Sequence, residues 1–400
     1  MNNSYQSVLS VIKATLSDSP LEINNDFDAK AICTILDEQA ILPLFYSTIA
    51  SSVSDVTEII SWKNRLYQIM ASNVKVQNIE SQLIQTLQDS GIEVAVLKGS
   101  AAAYYYPNPQ YRVRGDIDII VRPEQFELTE KVLEENEYEV DSRYKYFKHK
   151  NYKKHSIDIE LHRYFINNDE ENEQSEEPIP INPNNDLILQ AISQAKRVKL
   201  GNYCTCVLPN DINGIVLLVH IAQHLQKGIG LRQIIDWFMF VRACLDDEMW
   251  YSSFQEKARI TGLETLAITV TRMCQIHLGL TTENITWCKD ADEAVCEDLM
   301  QYVMDCGNFG RSRELLQSSA VEKLPSISHP FQFIRFLQNR GEMGWKALKK
   351  HPYLKPFAWI YQFCRYIKLA FQNKVTPNKL KSIYDEGNKR NEMFAALGLK

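Results

Sequence analysis

Two aspartates two residues apart, Asp116 and Asp118, stand in the segment VRGDIDIIV. In an extended strand successive side chains point to opposite faces, so residues two apart share one. The alternation with Ile117 and Ile119 therefore predicts a strand with two carboxylates on one face and an apolar opposite face. Carboxylates so placed can share one divalent cation or bridge two. Mg2+ takes one or two protein carboxylates and fills its other positions with water and phosphate oxygens. A pair of such ions can activate an attacking oxygen and stabilise a leaving pyrophosphate in line.

A third acid normally completes such a centre. The candidates are Asp158 and Glu160 in SIDIELH, where acids again alternate with apolar residues on a strand. Glu160 is preferred because it lies deeper in the strand, beside Leu161 and His162, but the pattern leaves both open. Upstream, Gly99 and Ser100 follow a short β-branched run, IEVAVLK, and open a helix. Amides at a helix N-terminus bind phosphate, and glycine lets the phosphate come close. Ser100 could add a hydroxyl donor. Lys98, Arg112 and Arg114 add positive charge to the same stretch, as phosphoryl transfer requires. A lone Asp-x-Asp is a weak signal. It gains weight from a Gly-Ser turn 16 residues before Asp116 and an acidic strand about 40 residues after it.

Elements must position these groups. Residues 1–90 carry apolar positions at helical spacing and no glycine, which predicts helices. A small α/β core is expected over 91–166. Its elements are a strand at IEVAVLK, a short helix stopped by Pro107, a strand at GDIDIIV, a helix from Pro123, and strands at YEVDSRYKYFKHKNY and HSIDIELHRYF. Residues 167–186 read as an acidic, proline-bearing loop, 187–320 as a helical domain, and 321–400 as a basic helical region. The fold class is α+β: a small mixed-sheet core flanked by N-terminal and C-terminal helical parts.

The nine cysteines form no CxxC pair, which argues against a disulfide framework or a zinc ribbon and for reduced thiols in a cytoplasmic setting. No apolar run approaches the ~18 residues of a transmembrane helix, and the N-terminus lacks the pattern of a signal peptide. The net charge is −6, yet residues 341–400 hold twelve Lys/Arg against four Asp/Glu, a local +8 that leaves −14 on the remainder. The basic region mixes lysines with aromatics. It is read first as a solvated helical face, with peripheral contact to an anionic membrane as the alternative. No basic stripe with interleaved aromatics marks the core as a nucleic-acid reader.

These residues resemble the DNA polymerase beta-like nucleotidyltransferase superfamily, whose pattern is a Gly-Ser turn, an Asp-x-Asp strand and a third acid on a later strand. The resemblance is closest to an uncharacterised nucleotidyltransferase group often encoded near bacterial surface-polysaccharide genes. It rests on Leu97-Lys98-Gly99, Tyr106-Pro107, the run from Arg114 to Val121, and Leu161-His162, and it extends over roughly residues 30–245. It implies transfer of a nucleoside monophosphate from a nucleoside triphosphate to an acceptor with Mg2+ or Mn2+. By the same resemblance Asp116, Asp118 and Glu160 (or Asp158) bind the metals, the third acid also serving as base, and Gly99 and Ser100 hold the triphosphate. His162 recurs in the pattern and is weighed evenly between a place behind the metals and an edge-strand histidine in solvent.

His220 and His224 share a helix face and lack the glutamate of HExxH, so packing outweighs a metal role. Asp236 could orient one of them, and all three could line the acceptor pocket. The acceptor itself, whether small molecule, glycan or protein, is not written in the sequence. Two other functions compete: a glycosyltransferase that uses Asp116-Ile117-Asp118 as its metal motif, and a non-catalytic scaffold or antitoxin-like protein. The first needs a parallel sheet built from residues 1–90. The second needs a core that does not bind triphosphate.

Overall fold

The computed structural model describes residues 3–22, 27–53, 56–141, 149–166, 183–307, 330–349, 351–372 and 377–399. The chain divides into two compact units, residues 1–309 together with 397–399, and residues 310–396.

The first unit opens with four helices, α1 (Asn3–Leu16), α2 (Ala29–Glu38), α3 (Leu42–Ala50) and the long α4 (Val56–Asp89). Gly91, at φ +72°, follows α4 and turns the chain into the sheet. Five strands follow: β1 (Val94–Leu97), β2 (Ile117–Val121), β3 (Glu139–Val140), β4 (His149–Lys154) and β5 (Ile157–His162). Their order is β1-β2-β5-β4-β3. β2 and β5 run parallel, and the other neighbours run antiparallel. The sheet is therefore mixed, as an α+β core requires. Helix α5 (Gly99–Ala103) follows β1, and α6 (Phe126–Glu135) follows β2.

The period of two decides which face does what. Val94 and Val96 of β1, Ile117, Ile119 and Val121 of β2, and Ile159 and Leu161 of β5 pack in one cluster with Val76, Ile79, Leu83 and Leu87 of α4 and with Leu133 of α6. Each fully buried aliphatic side chain contributes about 1.5–3 kcal/mol. That apolar face fixes the register, because a slip of one residue would turn every carboxylate into the core.

Three features depart from the expected elements. Strand β2 starts at Ile117, so Asp116 lies one residue before it. Helix α7 (Pro183–Ala191) starts inside the stretch read as an acidic loop, the remainder of which, 167–182, lies outside the described residues. The region read as wholly helical from 187 contains a hairpin, β6 (Lys196–Leu200) with β7 (Tyr203–Val207). Its two-residue turn is Gly201-Asn202, with Gly201 at φ +65°. Gly-Asn between β-rich runs is a hairpin signal, and it was legible in LGNY.

Helices α8 (Asn210–Lys227), α9 (Leu231–Cys244), α10 (Asp247–Met249), α11 (Gln255–Ile260), α12 (Glu264–Leu278) and α13 (Glu293–Cys306) complete the unit. Gly214 of α8 permits close packing: a Cβ there would meet Phe240 at 2.4 Å and Phe254 at 2.5 Å.

The second unit contains α14 (Pro330–Gly344), α15 (Ala358–Gln372) and α16 (Pro377–Ala396). Trp345 stacks on Tyr361 with ring centroids 4.8 Å apart. No described helix is long and apolar enough to cross a membrane. The nine cysteines are free.

Candidate active site

The β2–β5 register places Asp118 directly beside Glu160, although 42 residues separate them in the chain. Both project from the sheet face opposite the apolar cluster, and His162 projects two residues further along β5. The Nε2 atom of His162 lies 3.1 Å from Asp118 Oδ1 and 3.4 Å from Glu160 Oε2. One ligand atom from each of Asp118, Glu160 and His162 falls within 4.8 Å of the other two. Asp158 is also on β5, but its side chain is 63% exposed and pairs with Lys153 at 3.1 Å. The strand pairing thus brings Glu160, and not Asp158, to Asp118.

Asp118 is only 3% exposed. An anion so placed needs a partner, and Lys98 supplies one, with Nζ 2.8 Å from Asp118 Oδ1. Lys98 ends the turn between β1 and α5 with φ +58° and ψ −140°, a conformation that costs a non-glycine residue about 1–3 kcal/mol. Its ammonium also lies 6.0 Å from the Phe165 ring centroid. Burial works to lower the Lys98 pKa, but Asp118, Asp116 and Glu160 outweigh it and the net direction is up. Asp116 is exposed. Its negative charge is felt by Lys98, Glu160, Arg112 and Arg232, which places it among the same groups.

Glu160 and His162 hold each other in charged forms. Burial alone would raise the Glu160 pKa, yet the hydrogen bond and charge of His162, with Lys98 behind them, bring it to about 2. Burial alone would lower the His162 pKa, but hydrogen bonds to Asp118 and Glu160 raise it above 6.5.

The structure puts the other expected groups elsewhere. The Ser100 hydroxyl is fully buried and donates to Glu80 Oε2 at 2.8 Å, while accepting from Arg114 Nε at 3.1 Å. Arg114 also donates to the carbonyls of Arg112 and Pro109 and to the Tyr203 hydroxyl. Arg112 forms a two-pronged bond with Asp236, at 3.1 and 2.7 Å, and Tyr106 donates to the same carboxylate at 2.6 Å. Both arginines therefore brace the loop that delivers Asp116 and Asp118. Asp236 meets Arg112 and Tyr106 rather than either histidine expected to need it. Gly99, at φ +37°, has no atom within 4 Å of a notional Cβ, so its backbone faces open space.

His220 and His224 contact each other edge to face at 4.5 Å. Burial, and then the charges of Lys98, His224, Arg232 and Arg112, hold His220 well below 6.5, so it is neutral near pH 7. His220 on α8 thus lies within electrostatic range of Lys98 and Arg112. Arg232, at the start of α9, is drawn down to about 10 by burial and by Arg112. It was not anticipated from the sequence.

Also unanticipated was a polar seam on α4. Asn73, Gln77 and Glu80 recur at i, i+4 and i+7 and are buried. Asn73 donates to the carbonyls of Gln110 and Arg112 and accepts from the Arg114 amide. Gln77 meets Gln110. Burial raises the Glu80 carboxyl above its usual range, against the pull of Ser100 and Arg114. The signal was present as three polar residues at helical spacing along an otherwise apolar helix face.

The family model described as an uncharacterised nucleotidyltransferase matches residues 25–279. That span takes in α2 to α12, with the whole sheet and the loop carrying Asp116. No curated protein matches the chain.

Proposed function

The chain belongs to the uncharacterised nucleotidyltransferase family, and on that premise we propose that it transfers a nucleoside monophosphate from a nucleoside triphosphate to a hydroxyl-bearing acceptor, with a divalent cation held by Asp116, Asp118 and Glu160. The observation that carries this reading is the juxtaposition of Asp118 and Glu160 on adjacent parallel strands, beside the Lys98-Gly99 turn. Such an ion, Mg2+ or Mn2+, would neutralise phosphate oxygens and polarise the reacting phosphorus centre.

The chain's own residues supply position and charge. Lys98 reaches the carboxylates from the turn and is placed to neutralise a phosphate when one enters. The open backbone at Gly99 lets a phosphate approach the amides that follow β1. Glu160, ionised across the physiological range, keeps its carboxylate available to hold the cation. Arg112, Arg114, Asn73 and Glu80 do not touch the substrate in this reading; they hold the 109–114 loop that leads into Asp116 and Asp118. His220, neutral and within electrostatic range of Lys98, is suited to line the acceptor side.

The glycosyltransferase reading requires a parallel sheet before the Asp-x-Asp. The described residues ahead of β1 form only helices, which favours the nucleotidyltransferase. The test is calorimetric titration of each common nucleoside triphosphate with Mg2+ or Mn2+ into wild type and Asp118→Asn. Metal-dependent binding that Asp118→Asn weakens about tenfold or more supports the proposal. Wild type that binds no triphosphate with either ion would instead support the non-catalytic reading.

A further inference from the structure

The pattern that this chain resembles supplies three acids, yet the cluster on the sheet face includes a nitrogen. His162 Nε2 faces the two acids from the same side of β5, and the ring is 4% exposed. Its position comes from packing. The ring lies 5.3 Å from His149, its register partner on β4, and 6.0 Å from Phe165. Its Nδ1 is buried without a hydrogen-bond partner among the described residues, so the ring's polar contacts are made through Nε2 alone.

The distances suit a shared ion. Nε2 lies 3.1 Å and 3.4 Å from the two carboxylates, and the three ligand atoms lie within 4.8 Å of one another, close enough for one ion to be held by all three. The donor set would then add one imidazole nitrogen to the carboxylate oxygens of Asp118 and Glu160, with Asp116 beside them. Mg2+ is hard, favours oxygen and sheds water reluctantly, whereas imidazole favours transition-series ions.

We propose that His162 is itself a metal ligand through Nε2, the arriving ion displacing the Nε2 proton to solvent, and that the site consequently prefers a first-row transition divalent ion, Mn2+ among them, over Mg2+. The inference rests on the metal-dependent reading above and narrows its cation. The alternative is that His162 only donates hydrogen bonds to Asp118 and Glu160, with every protein ligand an oxygen.

Pulsed electron paramagnetic resonance on the full chain with Mn2+ alone separates the two, because an imidazole ligand imprints a 14N coupling on the ion. Wild type is expected to show that coupling. His162→Gln keeps a hydrogen-bond donor near the acids and is expected to lose the coupling. By calorimetry it should also weaken Mn2+ binding about tenfold or more, with Mg2+ changed less than about threefold. Bound Mn2+ without 14N coupling in wild type, or equal weakening of both ions in the variant, overturns the inference and leaves the function proposal standing. Failure of wild type to bind either ion overturns both. The wild-type spectrum decides the question even if the variant does not fold.

Discussion

The Arg112–Asp236 pair offers a sharp test of how the loop bearing the two aspartates is held. Asp236 receives three hydrogen bonds, two from the Arg112 guanidinium and one from the Tyr106 hydroxyl, and both members of the ion pair are almost wholly out of solvent. Asp236→Ala leaves a guanidinium buried without a counter-charge, and breaking one side of such a pair costs about 3–5 kcal/mol. Tyr106→Phe removes a single hydrogen bond to a charged group and should cost about 1.5–3 kcal/mol. For a cooperative unit near 300 residues, unfolding entropy is roughly 0.6 kcal/mol per kelvin, so the Asp236→Ala loss lowers the Tm by about 5–8 °C. Replacing both charges by apolar groups, Arg112→Met with Asp236→Leu, should recover most of that stability. Urea denaturation of the three variants measures these differences, and calorimetry with nucleoside triphosphates is run on those that fold. Because Arg112 is assigned to the framework, the folded double variant should bind triphosphate within a few-fold of wild type. A loss under about 1 kcal/mol in Asp236→Ala would refute the energetic argument. A double variant that is stable yet binds triphosphate more than about tenfold more weakly would show that apolar packing does not replace the ion pair in placing the aspartates, or that Arg112 itself reaches the nucleotide.

Lys98 adopts φ +58° and ψ −140°, which glycine tolerates and alanine does not. Lys98→Gly and Lys98→Ala lose the same ammonium, so the glycine variant should be the more stable by about 1 kcal/mol or more; equal stability in urea would remove the claim of strain. A second expectation concerns acid. The folded Glu160 pKa of about 2 lies below its ordinary 4.5, so ionised Glu160 favours the folded state above pH 4.5, and that contribution disappears as the pH falls toward 2. The stability gap between wild type and Glu160→Gln, measured by urea titration from pH 7 to pH 3, should therefore narrow below about pH 4.5. A gap that stays constant or widens over that range contradicts the His162–Glu160 coupling.

Local pattern alone determined much of this protein. The alternation around Asp116 and Asp118, and again around Asp158 and Glu160, fixed two strands, their buried faces and the side from which the acids project, because side-chain direction in a strand is set by its period of two. The helical spacing before Gly91 fixed the N-terminal helices. The Gly-Asn hairpin turn and the polar seam on α4 were equally local, and they went unread because longer helical runs surrounded them.

The tertiary structure decided everything that depends on which distant segments meet. The parallel register of β2 and β5 set Glu160 beside Asp118, and left Asp158 with Lys153. Arg112, Arg114 and Ser100, expected beside the nucleotide, are buried and hydrogen-bonded to groups of the protein itself, because a buried cation or hydroxyl must find its partner inside. Asp236, read as a partner for histidine, went to Arg112 for the same reason. His162 entered the carboxylate cluster through strand pairing and ring packing that no spacing in the chain encodes. Spacing dictates direction and periodicity within a segment; pairing partners are chosen by the free energy of the whole core, which is why the acids were legible while the choice between Glu160 and Asp158, and the place of His162, waited for the register.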